Sequence, residues 1–124
     1  MNYKDDFLYT KEHIWVKSKE EYYLLGITFF AQDLLGDIVF LDLKNGTKFS
    51  KGTSLGSIES VKTASDIIAP ADGEIILINP DAEKSPEKIN DDPHATWICQ
   101  IKLSTEINTK DYLSKEQYLN LINN

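Results

Sequence analysis

The sequence has one cysteine, no long apolar run and no excess of positive charge. Cys99 alone can form neither an intrachain disulfide nor a cysteine-cluster metal site. No apolar stretch approaches the roughly 20 residues that a membrane-spanning helix needs, so we expect no membrane role. Lysine and arginine number 13 against 20 aspartates and glutamates, which gives a net charge of −7. Nucleic acid is therefore not an expected partner, because its phosphates are bound by lysine and arginine.

Motifs for catalysis and metal binding are also missing. The two histidines, His13 and His94, lie far apart in sequence and do not form a paired zinc motif. There is no glycine-rich phosphate loop and no nucleophile elbow. We interpret His94 as a loop residue, and His13 as a packed, hydrogen-bonded residue on the strand face of Trp15. The sequence thus predicts a non-enzymatic protein, with no catalytic residues and no metal site.

Length and composition indicate one globular domain over residues 1–124, with a core in about 9–104. A chain of 124 residues is long enough to bury about two-thirds of the surface exposed by its unfolded form. Its 41% apolar and 27% charged residues are typical of soluble proteins. The amino terminus is acidic and lacks the features of a targeting peptide. We therefore expect a cytoplasmic bacterial protein, or a mitochondrial matrix protein whose transit peptide has been removed.

The apolar pattern is mainly that of β-strands. Short runs rich in β-branched residues are bounded by glycine, proline and asparagine. These runs are residues 14–17, 22–28, 37–43, 54–59, 66–69, 74–79 and 97–103. In the last run, alternation predicts a buried thiol at Cys99, on a face shared with Trp97, Ile101 and Leu103. Asn45-Gly46 predicts a type I′ hairpin turn.

Capping residues predict two helices. Thr28 is a suitable N-cap for a short helix near 29–35, which ends at Gly36 because glycine adopts positive φ without steric cost. A capping box, Ser114-x-x-Gln117, predicts a C-terminal helix near 115–122. Strands therefore dominate, with one helix early in the chain and one at its end.

The most distinctive segment is Glu59-Ser60-Val61-Lys62-Thr63-Ala64-Ser65-Asp66. Lys62 falls in the short connection between two strand-like runs, and loops at strand ends are exposed and often carry function. Taken alone, this placement favours an ordinary surface lysine. A solvated ammonium is a poor nucleophile, so its acylation would need another enzyme to activate the acyl donor. With its flanks, the segment predicts one amine offered for covalent modification.

The flanks of Lys62 resemble the biotinyl/lipoyl carrier superfamily, whose modified lysine lies at a hairpin tip. Lys51-Gly52 precedes the lysine, and Ala69-Pro70-Ala71-Asp72-Gly73 follows it at a similar distance. Biotin carriers usually place methionine beside the lysine, and lipoyl domains of 2-oxo acid dehydrogenases usually read Asp-Lys-Ala. Val61 matches neither pattern. Glu59-Ser60-Val61-Lys62 followed by Ser65-Asp66 is similar instead to the H-protein family of the glycine cleavage system.

Other segments carry the same resemblance over about residues 9–122. The segment from Tyr9 to Val16 is similar to the family's Tyr-Thr-x-x-His-Glu-Trp-Val opening. The segment from Leu25 to Val39 is similar to its Gly-Ile-Thr…Ala-Gln…Leu-Gly-Asp-Val-Val block. The resemblance implies a mainly β fold, a flattened barrel or sandwich of two antiparallel sheets called a barrel-sandwich hybrid.

The resemblance also implies a function. Lipoate would be amidated onto the ε-nitrogen of Lys62 by a lipoate ligase or lipoyltransferase. The lipoylated carrier would then take the aminomethyl group of glycine from glycine decarboxylase (P protein) to aminomethyltransferase (T protein). Dihydrolipoyl dehydrogenase (L protein) would reoxidise it, within glycine catabolism and one-carbon metabolism.

Four further residues are candidates near the arm. Glu59 and Asp66 are expected to be recognised by the lipoylating enzyme. In the family, the loaded arm rests in a cleft with acidic groups, including the Glu of His-Glu-Trp and the Asp four positions after the lysine. Asp66 is kept, but the Glu position is Ile14, and Glu12 on the same strand face is our candidate replacement. Two alternatives follow: an H-like lipoyl relay or redox carrier that holds or donates lipoate without glycine cleavage, and an unmodified scaffold of this fold.

Overall fold

The structure, a computed structural model, describes residues 2–123. Its strands are β1 (Leu8–Tyr9), β2 (Ile14–Ser18), β3 (Tyr23–Ile27), β4 (Ile38–Asp42), β5 (Lys48–Phe49), β6 (Ser54–Ser60), β7 (Ala64–Ile68), β8 (Gly73–Ile78) and β9 (Cys99–Leu103). Its helices are α1 (Phe29–Leu35), α2 (Pro80–Lys84), α3 (Glu87–Asp91) and α4 (Lys115–Ile122).

The strands form two antiparallel sheets, which confirms the predicted mainly β class. The larger sheet has the order β1-β2-β3-β9-β8-β5, and the smaller sheet has the order β4-β6-β7. Within residues 2–123 the two sheets stay separate and do not close into one barrel. The smaller sheet carries the hairpin that contains Lys62.

Apolar residues of the two sheets form one continuous core. The larger sheet contributes Ile14, Leu25 and Ile27, and the smaller sheet contributes Ile38, Leu41, Ile58 and Ile67. Full burial of a side chain of this size stabilises the fold by about 1.5–3 kcal/mol. The small sheet is therefore fixed on the large one, and the lysine hairpin extends from a rigid base.

The other face of the larger sheet packs against α4 through aromatic side chains. Trp15 is buried there with Phe7, Tyr9 and Tyr118. Gly26 lies opposite Trp15 on the neighbouring strand, and a Cβ at Gly26 would overlap the indole ring. Glycine is therefore needed at this position to leave room for the indole ring of Trp15.

Both predicted helices are confirmed with their caps. Thr28 Oγ1 accepts a hydrogen bond from the Ala31 amide at 3.2 Å, and α1 ends at Gly36, whose φ is 79°. The capping box of α4 has both of its reciprocal bonds. No helix in the described part of the chain is long and apolar enough to cross a membrane.

Besides the 3-10 helix Thr109–Asp111, four short elements were not predicted: β1, β5, α2 and α3. Each has two to five residues, too few to show a hydrophobic period. Only α2 has a readable start signal, since Asn79 Oδ1 accepts from the Asp81 amide at 3.1 Å and Pro80 occupies the first helical position. Elements this short depend on tertiary contacts more than on local pattern.

The prediction of a type I′ turn at Asn45-Gly46 is wrong. Such a turn requires positive φ at both central residues, and only Gly46 has it, at 84°. The strands on either side, β4 and β5, also belong to different sheets. Asn45 has another role, because its Oδ1 accepts from the Ile78 amide at 2.8 Å.

Cys99 is buried as predicted, and burial raises the pKa of its thiol to about 12. The predicted face is only partly correct. Ile101 and Leu103 belong to the same core as Cys99, whereas Trp97 packs with the aromatic cluster beneath α4. Strand β9 begins at Cys99, so the alternation does not extend back to Trp97.

Both histidines have more specific surroundings than the sequence indicated. His13 is hydrogen-bonded as predicted, with Nδ1 2.7 Å from the Tyr118 hydroxyl. However, its φ is 68° and it precedes β2, so it does not share a strand face with Trp15. His94 lies in a loop as predicted, yet it is only 3% exposed and its ring stacks on Phe29 at 4.2 Å.

Candidate functional site

Lys62 lies at the tip of the β6–β7 hairpin. Glu59 pairs with Ala64 in the last rung of the ladder, and the Ser60 amide donates to the Thr63 carbonyl at 2.7 Å. Val61, Lys62 and Thr63 connect the two strands, and all three are exposed. The amine is therefore presented to solvent at the most projecting point of the small sheet.

The tip is tied to the loop that follows α1. The Val61 amide donates to the Asp37 carbonyl at 3.0 Å, and Ser60 pairs with Ile38 at the start of β4. Asn90 of α3 in turn holds Ile38, accepting from its amide at 2.8 Å and donating to its carbonyl at 3.1 Å. The hairpin tip is thus connected to both α1 and α3.

Gly36 provides the surface over which the lysine stem lies. A Cβ at Gly36 would be 3.3 Å from Lys62 Cε, a tight contact. The positive φ of Gly36 already favours glycine. The sequence identified Gly36 only as a helix end, because its proximity to Lys62 depends on the tertiary fold.

Glu59 and Asp66 face outward from the small sheet. Glu59 pairs with Ala64, which lies two residues before Asp66 on β7, so the two carboxylates are diagonal neighbours on one exposed face. Asp66 Oδ1 also accepts from the Ser54 hydroxyl at 3.1 Å. The structure therefore brings the two predicted recognition residues together on the hairpin that bears Lys62.

An exposed apolar patch adjoins these acids. Val39 and Phe40 are 52% and 50% exposed because a β-bulge interrupts the pairing between Ile38 and Phe40, and bulges redirect side chains in this way. Phe40 lies directly opposite Glu59. Leu34 and Val61 are also exposed. Sequence alternation alone could not locate this patch, since the bulge shifts the strand's faces by one residue.

Glu12 and Ile14 do not lie beside Lys62. Glu12 is exposed in the turn before β2 and borders a cavity of about 420 Å³ that also contains Ile68, Ala69 and Pro70. This cavity lies at the end of β7 opposite to Lys62. Ile14 is 3% exposed in the core and does not line the cavity. The structure thus separates Glu12 from Ile14, because the positive φ of His13 interrupts the strand period between them.

No metal centre accompanies these groups. Among residues 2–123 there is no cluster of three or more histidine, cysteine, aspartate or glutamate side chains that could hold a metal ion. The site consists of one exposed amine, a seat at Gly36, two outward carboxylates and an apolar border.

Comparisons of sequence and of structure with known proteins all identify the same family. A family model described as Glycine cleavage H-protein matches residues 7–124. The chain is 48% identical over 120 residues to the "Glycine cleavage system H protein" of Listeria monocytogenes serotype 4b (strain CLIP80459), covering 95% of this chain and 96% of that protein. It is 44% identical over 119 residues to the protein of the same name from Koribacter versatilis (strain Ellin345), covering 95% and 92%. The crystal structure of an H protein from Mycobacterium marinum superposes with a TM-score of 0.88 at 32% identity, covering 98% of this chain and 100% of that chain.

Proposed function

The chain belongs to the glycine cleavage H-protein family, and from this premise we propose that it is the lipoylated, non-catalytic carrier of a glycine cleavage system. The observation that carries the proposal is the position of Lys62 at the exposed tip of the β6–β7 hairpin, on a rigid sheet. The bacterial relatives support a cytoplasmic setting.

The residues around Lys62 suit a covalent lipoyl group. The amine is exposed, its stem rests on a residue without a side chain, and none of the ion pairs found among residues 2–123 involves it. Amidation would remove the lysine charge without leaving a carboxylate unpaired. When attached, lipoate supplies a dithiolane that can be reduced and loaded with the aminomethyl group of glycine.

We assign Glu59 and Asp66, with the apolar patch of Val39 and Phe40, to recognition by a lipoate ligase or lipoyltransferase. The two carboxylates and the apolar side chains share the exposed surface next to the tip. A partner with an apolar contact surface edged by lysine or arginine would complement it. The net charge of −7 supports a basic partner in general.

For the loaded arm we assign Asp66 and Glu12 as acidic partners of the cargo amine. Asp66 lies four residues after Lys62, on strand β7 of the same hairpin. Farther along the same strand is the cavity bordered by Glu12. A cationic amine that leaves water needs an opposite charge nearby. Ile14 is enclosed in the core, so Glu12 is the acid of the opening segment that remains accessible.

Tethering explains how a carrier without catalytic groups would contribute. An arm fixed at the hairpin tip raises the effective concentration of its cargo at each docked enzyme without adding contacts. The proposed partners are glycine decarboxylase, aminomethyltransferase and dihydrolipoyl dehydrogenase. The rigid base beneath the tip restricts the cargo to the reach of the arm.

A lipoylation assay tests the attachment site. The full chain is incubated with lipoate, ATP and a bacterial lipoate ligase, and its intact mass is measured. The wild type should gain one lipoyl group and Lys62→Arg none. A variant that still gained the group would refute the assignment of Lys62, and a wild type that gained nothing would refute the carrier function.

Glycine–bicarbonate exchange with a glycine decarboxylase tests the shuttle. The lipoylated chain should support exchange, and Lys62→Arg should not. Ile14 at the position of a family acid favours one other candidate, a lipoyl relay. Absence of exchange, together with transfer of lipoate to a second lipoyl domain, would establish the relay and exclude the shuttle.

A further inference from the structure

The turn at the hairpin tip is closed by the bond from the Ser60 amide to the Thr63 carbonyl, so Val61 and Lys62 are its central residues. Two-residue hairpin loops favour type I′ or II′ turns, which need positive φ, because these turns match the twist of the strands. Neither Val61 nor Lys62 has positive φ, since His13 is the single non-glycine residue with that conformation between residues 2 and 123. The tip therefore lacks the support that a primed turn would supply, and other interactions must hold it.

The Ser60 hydroxyl provides that support. Its Oγ accepts from the Lys62 amide at 3.3 Å and from the Thr63 amide at 3.1 Å, and donates to the Thr63 carbonyl at 3.1 Å. A serine hydroxyl has one donor and two acceptor sites, so all of its hydrogen-bonding capacity is directed to the turn. Serine is also a favoured first residue of turns without positive φ.

The amides of Lys62 and Thr63 both depend on this hydroxyl. Ser60 Oγ is the partner of the Lys62 amide among the hydrogen bonds of the described chain. The Val61 amide is held separately by the Asp37 carbonyl, and the Thr63 hydroxyl reaches only the Ala64 carbonyl, at 3.4 Å. Removal of the Ser60 hydroxyl would thus release the amides of Lys62 and Thr63 and leave the pairing of Glu59 with Ala64 in place.

We propose that Ser60 is a positioning residue that fixes the direction in which Lys62 presents its amine to the lipoylating enzyme. The proposal rests on the proposed carrier function and adds a determinant of its modification. Acyl transfer needs the amine aligned with the activated carbonyl, and small misplacements slow such steps. The exposed surface formed by Glu59, Asp66 and Phe40 is unaffected by Ser60, so the enzyme should bind as before and transfer more slowly.

Amide hydrogen exchange, measured by NMR on the full unmodified chain, directly tests the hydrogen bonds made by Ser60 Oγ. In Ser60→Ala, the Lys62 and Thr63 amides should exchange about three- to tenfold faster, as expected for the loss of one hydrogen bond. The Val61 amide should keep its rate. Unchanged exchange at Lys62 would overturn the proposal, whatever the outcome of lipoylation.

Steady-state lipoylation kinetics test the consequence. Ser60→Ala should lower kcat about three- to tenfold with KM unchanged, because the docking surface is intact. Ser60→Thr restores a hydroxyl and should recover the wild-type kcat. Thr63→Ala is the matched control, since it removes a hydroxyl from the same tip, and it should behave as wild type.

The outcomes separate the two claims. Failure of the wild type to accept lipoate refutes the proposed function, and the role of Ser60 with it. A wild type that is lipoylated at the same rate as Ser60→Ala refutes only the role of Ser60. That role is also refuted if Ser60→Thr is as slow as Ser60→Ala, or if Thr63→Ala shows an equal loss.

Discussion

The buried imidazole of His94 accepts a hydrogen bond from the backbone amide of Phe29 at 3.1 Å, through Nε2. The proton of the neutral ring is therefore on Nδ1, which is buried and has no hydrogen-bond partner among residues 2–123. The ring stacks on Phe29 and meets the Tyr3 ring edge-on at 4.8 Å. A loop histidine thus anchors the start of α1, the helix whose other end lies beside Lys62.

This arrangement predicts a loss of stability in acid. Burial lowers the pKa of His94 from 6.5 to about 4, so the unfolded chain binds the proton more readily than the folded chain. The contribution of His94 is present above pH 6.5 and is lost as the pH falls toward 4. Its upper limit is about 3 kcal/mol, at about 1.4 kcal/mol per pKa unit. Urea unfolding between pH 7.5 and pH 4.5 measures it.

His94→Phe provides the comparison, because it keeps an aromatic ring and removes the titration. The variant should lose stability at pH 7.5, since the Phe29 amide loses its acceptor, yet depend less on pH between 6.5 and 4. His13→Gln should change the pH dependence less, as the ring of His13 is only half-buried. A pH dependence identical in His94→Phe and wild type would contradict this account.

Placing the family's acid at position 14 should destabilise this chain rather than restore a site. Ile14 is 3% exposed among apolar residues, and an unpaired buried charge costs about 3 kcal/mol or more. Ile14→Glu should therefore lower the free energy of unfolding at pH 7 by about that amount, as measured by urea denaturation. Ile14→Val should cost only about 1 kcal/mol. A well-folded Ile14→Glu chain with increased glycine exchange would show instead that position 14 reaches the arm.

Gly36 and Gly46 allow a matched test of the lysine seat. Both have positive φ, but a Cβ at Gly36 would lie 3.3 Å from Lys62 Cε, whereas a Cβ at Gly46 would have no neighbour within 4 Å. Alanine at either position should cost about 1 kcal/mol or more in backbone strain. Only Gly36→Ala should also slow lipoylation of Lys62. Equal lipoylation rates in the two variants would exclude a role for the seat.

Asn90 should stabilise the base of the tip. Its side-chain amide makes two hydrogen bonds to the backbone of Ile38, which pairs with Ser60. Asn90→Ala should lower the free energy of unfolding by about 2 kcal/mol, because part-buried backbone groups lose their partners. The exposed Asn108, whose Oδ1 bonds one amide in a short turn, provides the control, and Asn108→Ala should cost less. Equal losses would indicate that Asn90 has no special role.

The sequence was sufficient to predict structural features that depend on residues close together in the chain. The caps at Thr28 and Ser114, the end of α1 at Gly36 and the burial of Cys99 all follow from local pattern, and all are confirmed. The turn around Lys62 was located correctly for the same reason, since both flanking runs have strand patterns. Local signals were sufficient where the backbone satisfies its own hydrogen bonds.

Contacts between distant segments could not be predicted in this way. Glu12 was placed on the strand face of Ile14, but the positive φ of His13 moves it to a cavity formed with Ile68. The proximity of Gly36 to Lys62 arises only when α1 packs beside the small sheet. Nothing within a few residues of these positions indicates such contacts.

The inaccessibility of Cys99 has a consequence for redox chemistry. Exchange between a thiol and a disulfide begins with attack by a thiolate, and Cys99 is both fully enclosed and, with a pKa of about 12, almost never deprotonated at neutral pH. It is also the sole cysteine in the sequence. The protein therefore has no internal thiol that could form a mixed disulfide with the lipoyl arm proposed for Lys62. Every sulfur exchange of such an arm would have to take place with another molecule.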